Sequence, residues 1–531
     1  MKRILVIAFL TFAAATLARA DFVHAHGTVL FVDEDGVERP FVRVQVRLMD
    51  SDSDYDEEIA RGFTDHLGRY SLSGSAGDSP CIGCGKPDPY VKVVLEDPGR
   101  VEVHDIMHFT RNAVLTPTFE ETAGEIDFGT RTFTEEYPEG MAAILYDKAE
   151  HAYNAFVALS GDSKVPGNGG EVAIEIPVVL SFGSPYTTWD TIHWPGVKKK
   201  DYGAFYHEFG HRLRHAIDGD VAHFNNDLVW YRYGRHHERD EDTNLGFAFN
   251  EGWANYFRDR LQPDFLEGSW NGVNQGDEVE GHVSYKLISL ADHCGDFKPM
   301  WRTLKENPGT IHSFPEFYQK FIARHPQCRL DVPIGVSHLP DPKRRKLKNL
   351  PKADSSVLAA LQQQQKMQID SIDARAAASV VRNFPRIPAS IRAADHGVIE
   401  RLWQKRLQSV QSADERARTA YRRLVTGLRP MSPDSIRDGS YERDALTARR
   451  AFINTVARQR LREAQDIRHE VAAEKLKTKD AALLSYLAAL DRRYARLESE
   501  LKLALAPIAK NSKPPLGILP RSFSGIARND R

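Results

Sequence analysis

Two histidines four residues apart enclose a glutamate in the string Tyr206-His207-Glu208-Phe209-Gly210-His211-Arg212-Leu213, and nothing else in the chain restricts its folding as narrowly. On an α-helix, positions i and i+4 lie one turn above the other, so His207 and His211 present their imidazoles from one face. Two imidazoles set that way can share a tetrahedral Zn²⁺ at ~2.0–2.1 Å. Glu208 stands beside them. It is placed to act as general base toward a water that such an ion acidifies from a pKa of about 15.7 towards ~7, and then to pass the proton to a leaving amine. The competing reading is a surface helix with incidental histidines. Phe205, Phe209 and Leu213 weigh against it, because they give the helix an apolar stripe that needs a core to lie on.

Such a site needs a third ligand, and the segment Phe247-Ala248-Phe249-Asn250-Glu251-Gly252-Trp253-Ala254-Asn255-Tyr256-Phe257 offers Glu251. A carboxylate among Phe249, Trp253 and Phe257 is costly to bury unless it binds a cation. A His₂Glu set also leaves the fourth zinc position open, as catalytic sites do. His215 sits a further turn along the first helix, too far from an ion held by its neighbours. His223, the pair His236-His237, Asp218 and Asp220 are weaker candidates.

The two segments together, His207-Glu208-Phe209-Gly210-His211 and then Asn250-Glu251-Gly252-Trp253-Ala254-Asn255, resemble the gluzincin metallopeptidases of the thermolysin-like clan over about residues 189–292. The resemblance implies zinc ligands at His207, His211 and Glu251, and a general base for peptide hydrolysis at Glu208. The metzincin pattern fits less well, since Arg214 and Ile217 stand where it requires Gly and His. In the thermolysin pattern an aspartate four residues after the ligand glutamate orients a ligand histidine. Here Asn255 holds that place; its carbonyl oxygen can accept an imidazole N–H, but without a full charge. The interval from His211 to Glu251 is also longer than in thermolysin. For the oxyanion the resemblance points to His282 and Tyr285, within Glu280-Gly281-His282-Val283-Ser284-Tyr285-Lys286-Leu287, a segment similar to the helix that closes gluzincin sites. Tyr231 and Tyr233 are rivals, and the plain alternative is that His282 starts a helix in which Tyr285 packs. Residues 178–182 and 187–194 read as strands, and the resemblance implies that one of them is the edge on which an extended peptide pairs.

Around this centre the composition changes twice. Val42, Val44, Val46 and Leu48 alternate with polar residues, the period of a half-buried strand, and Val91, Val93 and Leu95 keep the same two-residue step. Gly27-Thr28-Val29, then residues 44–48, then Thr64-Asp65 through Gly68-Arg69-Tyr70, resemble transthyretin-like or carboxypeptidase-regulatory-like domains, which name no activity. Beyond a basic stretch, Lys343-Arg344-Arg345-Lys346-Leu347-Lys348, good helix formers dominate. There Leu483, Leu487, Leu490, Tyr494, Leu497 and Leu501 form a narrow apolar seam, and Trp403, Leu407, Val410, Ala417, Tyr421 and Leu424 a second one. The expected order is a signal peptide (1–20), an all-β sandwich (21–135), an α+β zincin-like catalytic domain (137–339), a basic linker (340–354), a long-helix, coiled-coil-like region (355–506) and a disordered tail (507–531).

Lys2-Arg3, the apolar run 4–18 and Ala18-Arg19-Ala20 have the form of a cleavable secretory signal, the run being shorter than the ~20 residues that cross a bilayer. The mature chain is then secreted or periplasmic, with no membrane span. In that compartment Cys294 and Cys328 are a natural long disulfide pair, and Cys81 and Cys84 can close on each other. A net charge of −2 over 531 residues gives no basic field for nucleic acid. The function expected is zinc-dependent hydrolysis of peptide or protein substrates. The alternative is a non-catalytic cell-envelope binding or adhesion protein that keeps a zincin-like domain as scaffold. The helical region can serve self-association or docking, or fold back on itself.

Overall fold

The computed structural model describes residues 21–51, 57–76, 86–104, 112–115, 118–119, 122–134, 139–178, 185–188, 191–195, 202–218, 239–262, 276–295, 297–330, 391–427 and 440–505. Residues 1–20, expected to be a signal peptide, Cys81, Cys84, the stretch 340–354 expected to be a linker, residues 355–390 and the tail expected from 507 lie outside them. So do His223, Asp220, Tyr231, Tyr233, His236 and His237.

The chain begins β-rich and continues with helices. One four-stranded sheet joins β10 (Gly124–Phe133), β1 (Phe22–Val32) and β2 (Glu38–Pro40), with β5 (Arg69–Ser75) also paired to β1. A second runs β4 (Glu57–Phe63), β3 (Gln45–Asp50), β6 (Pro89–Val94) and β9 (Asn112–Leu115). In β3 and just before it, Val44, Val46 and Leu48 are wholly buried, as alternation requires. Val42 does not join them: Arg43 takes φ +60°, a left-handed turn of the backbone that leaves Val42 exposed and starts the strand later than the pattern implies. The Thr64 hydroxyl secures this corner, accepting from the Val44 N–H and donating to the Phe41 carbonyl.

The third sheet is mixed, in the order β12 (Tyr186–Thr188), β13 (Thr191–Pro195), β11 (Val172–Val178), β8 (Val101–His104) and β7 (Glu96–Asp97). β8, β11 and β13 are parallel, and β12 runs antiparallel along the outer edge. This sheet crosses the division expected near residue 135. β7 and β8 come from the N-terminal stretch, and a single hydrophobic core extends from Val23 to Cys328.

Helices α1 (Glu139–Ser160) and α2 (Ala204–Asp218) pack on the third sheet. α3 (Leu245–Leu261), α4 (Glu280–Cys294), α5 (Phe297–Lys305) and α6 (Phe314–Arg324) follow. α3 begins at Asn244, whose side chain accepts from the Phe247 N–H, and α6 at Ser313, which caps Glu316 in the same way. A disulfide joins Cys294, at the end of α4, to Cys328 after α6. Three long helices, α7 (His396–Gly427), α8 (Ser440–Lys477) and α9 (Ala481–Leu505), bury a separate apolar cluster that includes Leu402, Ala464, Val471, Leu483, Leu487, Tyr494 and Leu501. Arg468 of α8 bridges Asp491 and Glu498 of α9. The side chains of Leu497 and of the second seam fall outside the described set. No helix among the described residues is long and apolar enough to cross a membrane.

Candidate metal centre

The apolar stripe of α2 does what its spacing implies: Phe205, Phe209 and Leu213 are all fully buried. Its polar residues are held too. Arg212, wholly buried, donates to the carbonyls of Pro166 and Glu171, which ties the helix to the chain entering β11. Arg214 binds Asp218 at 2.7 Å and the Ile311 carbonyl at 2.6 Å, so Asp218 is committed to a structural ion pair. His151 of α1 lies 2.8 Å from the hydroxyl of Tyr206, the residue before His207. Burial and then the nearby Lys148 ammonium depress its basicity.

Glycine sets how near α3 approaches. A Cβ on Gly210 would sit 2.8 Å from Ala254 Cα, inside any normal contact, so the two helix backbones meet at this residue. Gly252 has the same role between α3 and α4, where a Cβ would lie 2.6 Å from Val283 Cγ1. Both glycines belong to the two segments singled out in the sequence.

The close approach brings three side chains to one point. His207 Nε2 and His211 Nε2 are 3.1 Å apart, and Glu251 Oε2 lies 3.1 Å from the first and 3.3 Å from the second. Among the described residues these three form the one group of His, Cys, Asp or Glu side chains able to hold a metal ion. The spacing fits a tetrahedral ion: ligands at 2.0–2.1 Å and a tetrahedral angle stand ~3.3–3.4 Å from one another. The His211 and Glu251 side chains are almost completely buried, whereas that of His207 keeps 17% exposure, so one side of the group opens outward. His207 Nδ1 lies 3.1 Å from Asn255 Oδ1.

Glu208 faces the edge strand. The Thr187 hydroxyl of β12 lies 2.8 Å from Glu208 Oε2 and 2.9 Å from its main-chain oxygen, and donates its one proton between them. In the sequence Thr187 reads only as a strand residue, since nothing local marks a contact made 21 residues away. His215 stacks beyond His211 at 6.0 Å between ring centroids and does not belong to the metal group. His282 and Tyr285 lie on α4, outside the group as well. His282 Nδ1 is 3.2 Å from the Gly276 carbonyl and its ring faces that of Tyr285, which is exposed.

No protein-family model matches the sequence, and no curated protein matches it. Among solved structures the chain is similar to a 9R-lipoxygenase from Cyanothece PCC8801 at 12% identity, covering 60% of this chain and 67% of that one. The TM-score is 0.17, too low for the likeness to carry any argument.

Proposed function

We propose that the chain is an exported zinc-dependent metallopeptidase of gluzincin type. One observation carries the reading. His207, His211 and Glu251, brought from two helices, converge within 3.1–3.3 Å, with the Glu208 carboxylate on the same helix and anchored to an edge strand. Two imidazoles and one carboxylate suit zinc, and three protein ligands leave a position for reaction. A purely structural site has no need of the additional carboxylate.

Bound zinc supplies Lewis acidity, polarising a scissile carbonyl and acidifying water. The rest falls to the protein's own groups. Among the described residues β12 is the last strand of its sheet, so an extended peptide can pair with it as an added strand and lie across the mouth of the site. Glu208 takes the proton of the attacking water at its carboxylate and returns it to the departing amine nitrogen. Thr187 holds that carboxylate in place and so links strand and base. Asn255 Oδ1 is placed to accept from His207 Nδ1–H, which would leave Nε2 unprotonated to hold the ion. His282 and Tyr285 are the proposed oxyanion donors.

Around this centre, the two N-terminal four-stranded sheets support a transthyretin-like sandwich, and the Cys294–Cys328 bridge supports an oxidising, exported location. The ion pairs between α8 and α9 support a coiled-coil-like helical arm that folds back on itself. The deciding experiment uses a quenched-peptide library with metal analysis. One zinc per chain is expected, lost in His211→Ala and Glu251→Ala. Cleavage should vanish in Glu208→Gln while zinc stays. Zinc retention with no hydrolysis by the wild type would replace this reading with the non-catalytic binding protein.

A further inference from the structure

Asn255 leaves unexplained how a neutral amide keeps a ligand imidazole correctly protonated. An amide can present either its oxygen or its nitrogen to His207, and only the oxygen makes Nδ1 the protonated atom. The other end of the same side chain answers this. Asn255 Nδ2 lies 3.3 Å from Glu280 Oε1, and both residues are almost wholly buried. A carboxylate can only accept, so the –NH₂ must face Glu280 and the carbonyl oxygen must face His207. His207 Nδ1 then carries the proton, and its Nε2 lone pair turns toward His211 and Glu251. Glu280 is the first residue of α4, where the helix N-terminus favours a negative charge.

We infer that Glu280 is a positioning residue for the metal site: it fixes the Asn255 amide and, through it, the tautomer of His207. The inference rests on the metal reading above. The charge that an aspartate at position 255 would carry is moved one hydrogen bond outward, where it polarises the amide instead of pairing with the imidazole directly. The close fit of Gly252 against Val283 and the Glu280 carbonyl keeps α4 near enough for this contact.

The test is zinc affinity of the full-length protein, measured by competition with a chromophoric chelator, for the wild type, Glu280→Gln, Asn255→Asp and the double variant. Glu280→Gln can pair with the amide in either orientation, so its zinc affinity is expected to fall about tenfold, the lower end for groups behind a ligand. In the Asn255→Asp background the sign should reverse. There the acid at 255 serves His207 unaided, and Glu280 only repels it, so adding Glu280→Gln should leave affinity equal or higher. Should Glu280→Gln alone fail to fold, judged by its melting curve in chelator, the comparison of Asn255→Asp with the double variant still decides the matter. Unchanged affinity in Glu280→Gln, or an equal loss in both backgrounds, overturns the inference while the metal site stands. A wild type that takes up no stoichiometric zinc overturns both.

Discussion

Replacing Gly210 by alanine sets two effects of known size against each other. Alanine in a helix interior is favoured over glycine by about 1 kcal/mol. The new Cβ, however, would lie 2.8 Å from Ala254 Cα and 3.3 Å from both Ala254 O and Phe257 Cβ. Carbon atoms rest at about 3.5–4.0 Å, so α2 and α3 must separate by roughly 0.7 Å or more. Overpacking of this kind costs about 1–3 kcal/mol, so the metal-free protein should lose between nothing and about 2 kcal/mol. The ligand group has far less tolerance. The distance from His207 Nε2 to Glu251 Oε2 is 3.1 Å, and adding the same displacement takes it past the ~3.4 Å edge of a zinc tetrahedron. Zinc affinity should therefore fall by at least about tenfold, out of proportion to the change in folding. Urea denaturation in chelator gives the first quantity and chelator competition the second. A Gly210→Ala protein that is about 1 kcal/mol more stable and binds zinc as tightly as wild type would refute the claim that this contact draws Glu251 to the histidines.

Three further outcomes are expected. Thr187→Val keeps the strand but removes the donor to Glu208, so peptide hydrolysis should drop about tenfold, the worth of a hydrogen bond to a charged group, at unchanged zinc content. Burial pushes the Asp147 carboxyl up from 3.8 to about 6. A raised acid pKa means stability present while the group is protonated and lost as pH climbs from 3.8 through about 6, so Asp147→Asn should gain at most about 3 kcal/mol at pH 7.5 and almost nothing near pH 3.5 in matched urea titrations. Reducing the Cys294–Cys328 bridge, which closes a separation of 34 residues, should cost about 3–4 kcal/mol; a melting temperature indifferent to reductant would contradict this.

The features of the centre that can be read from sequence are those fixed by helix geometry or by an incongruous neighbourhood. His207, Glu208 and His211 follow from a four-residue step, and Glu251 from being acidic among aromatics. Thr187 and Glu280 act across 21 and 25 residues, through a sheet edge and a helix start, and neither contact leaves a local periodicity. Glu280 is visible in sequence only as the first letter of the segment holding His282. The alternation around Val44 locates a strand but not its beginning, because a non-glycine residue in the left-handed region gives no sign in the pattern. The parallel pairing of β8 with β11 spans about seventy residues, and parallel strands buried on both faces look alike whichever neighbour they take.

That pairing bears on how the molecule can be cut. The polypeptide that would remain if everything before residue 137 were removed keeps the metal group but loses β7 and β8, leaving the backbone N–H and C=O groups along one flank of β11 without partners. An uncovered flank of this kind invites pairing with other copies. The front of the chain is thus no detachable accessory: it supplies β8 and β7, the strands that continue the third sheet beyond β11, and any shortened version must begin upstream of β7.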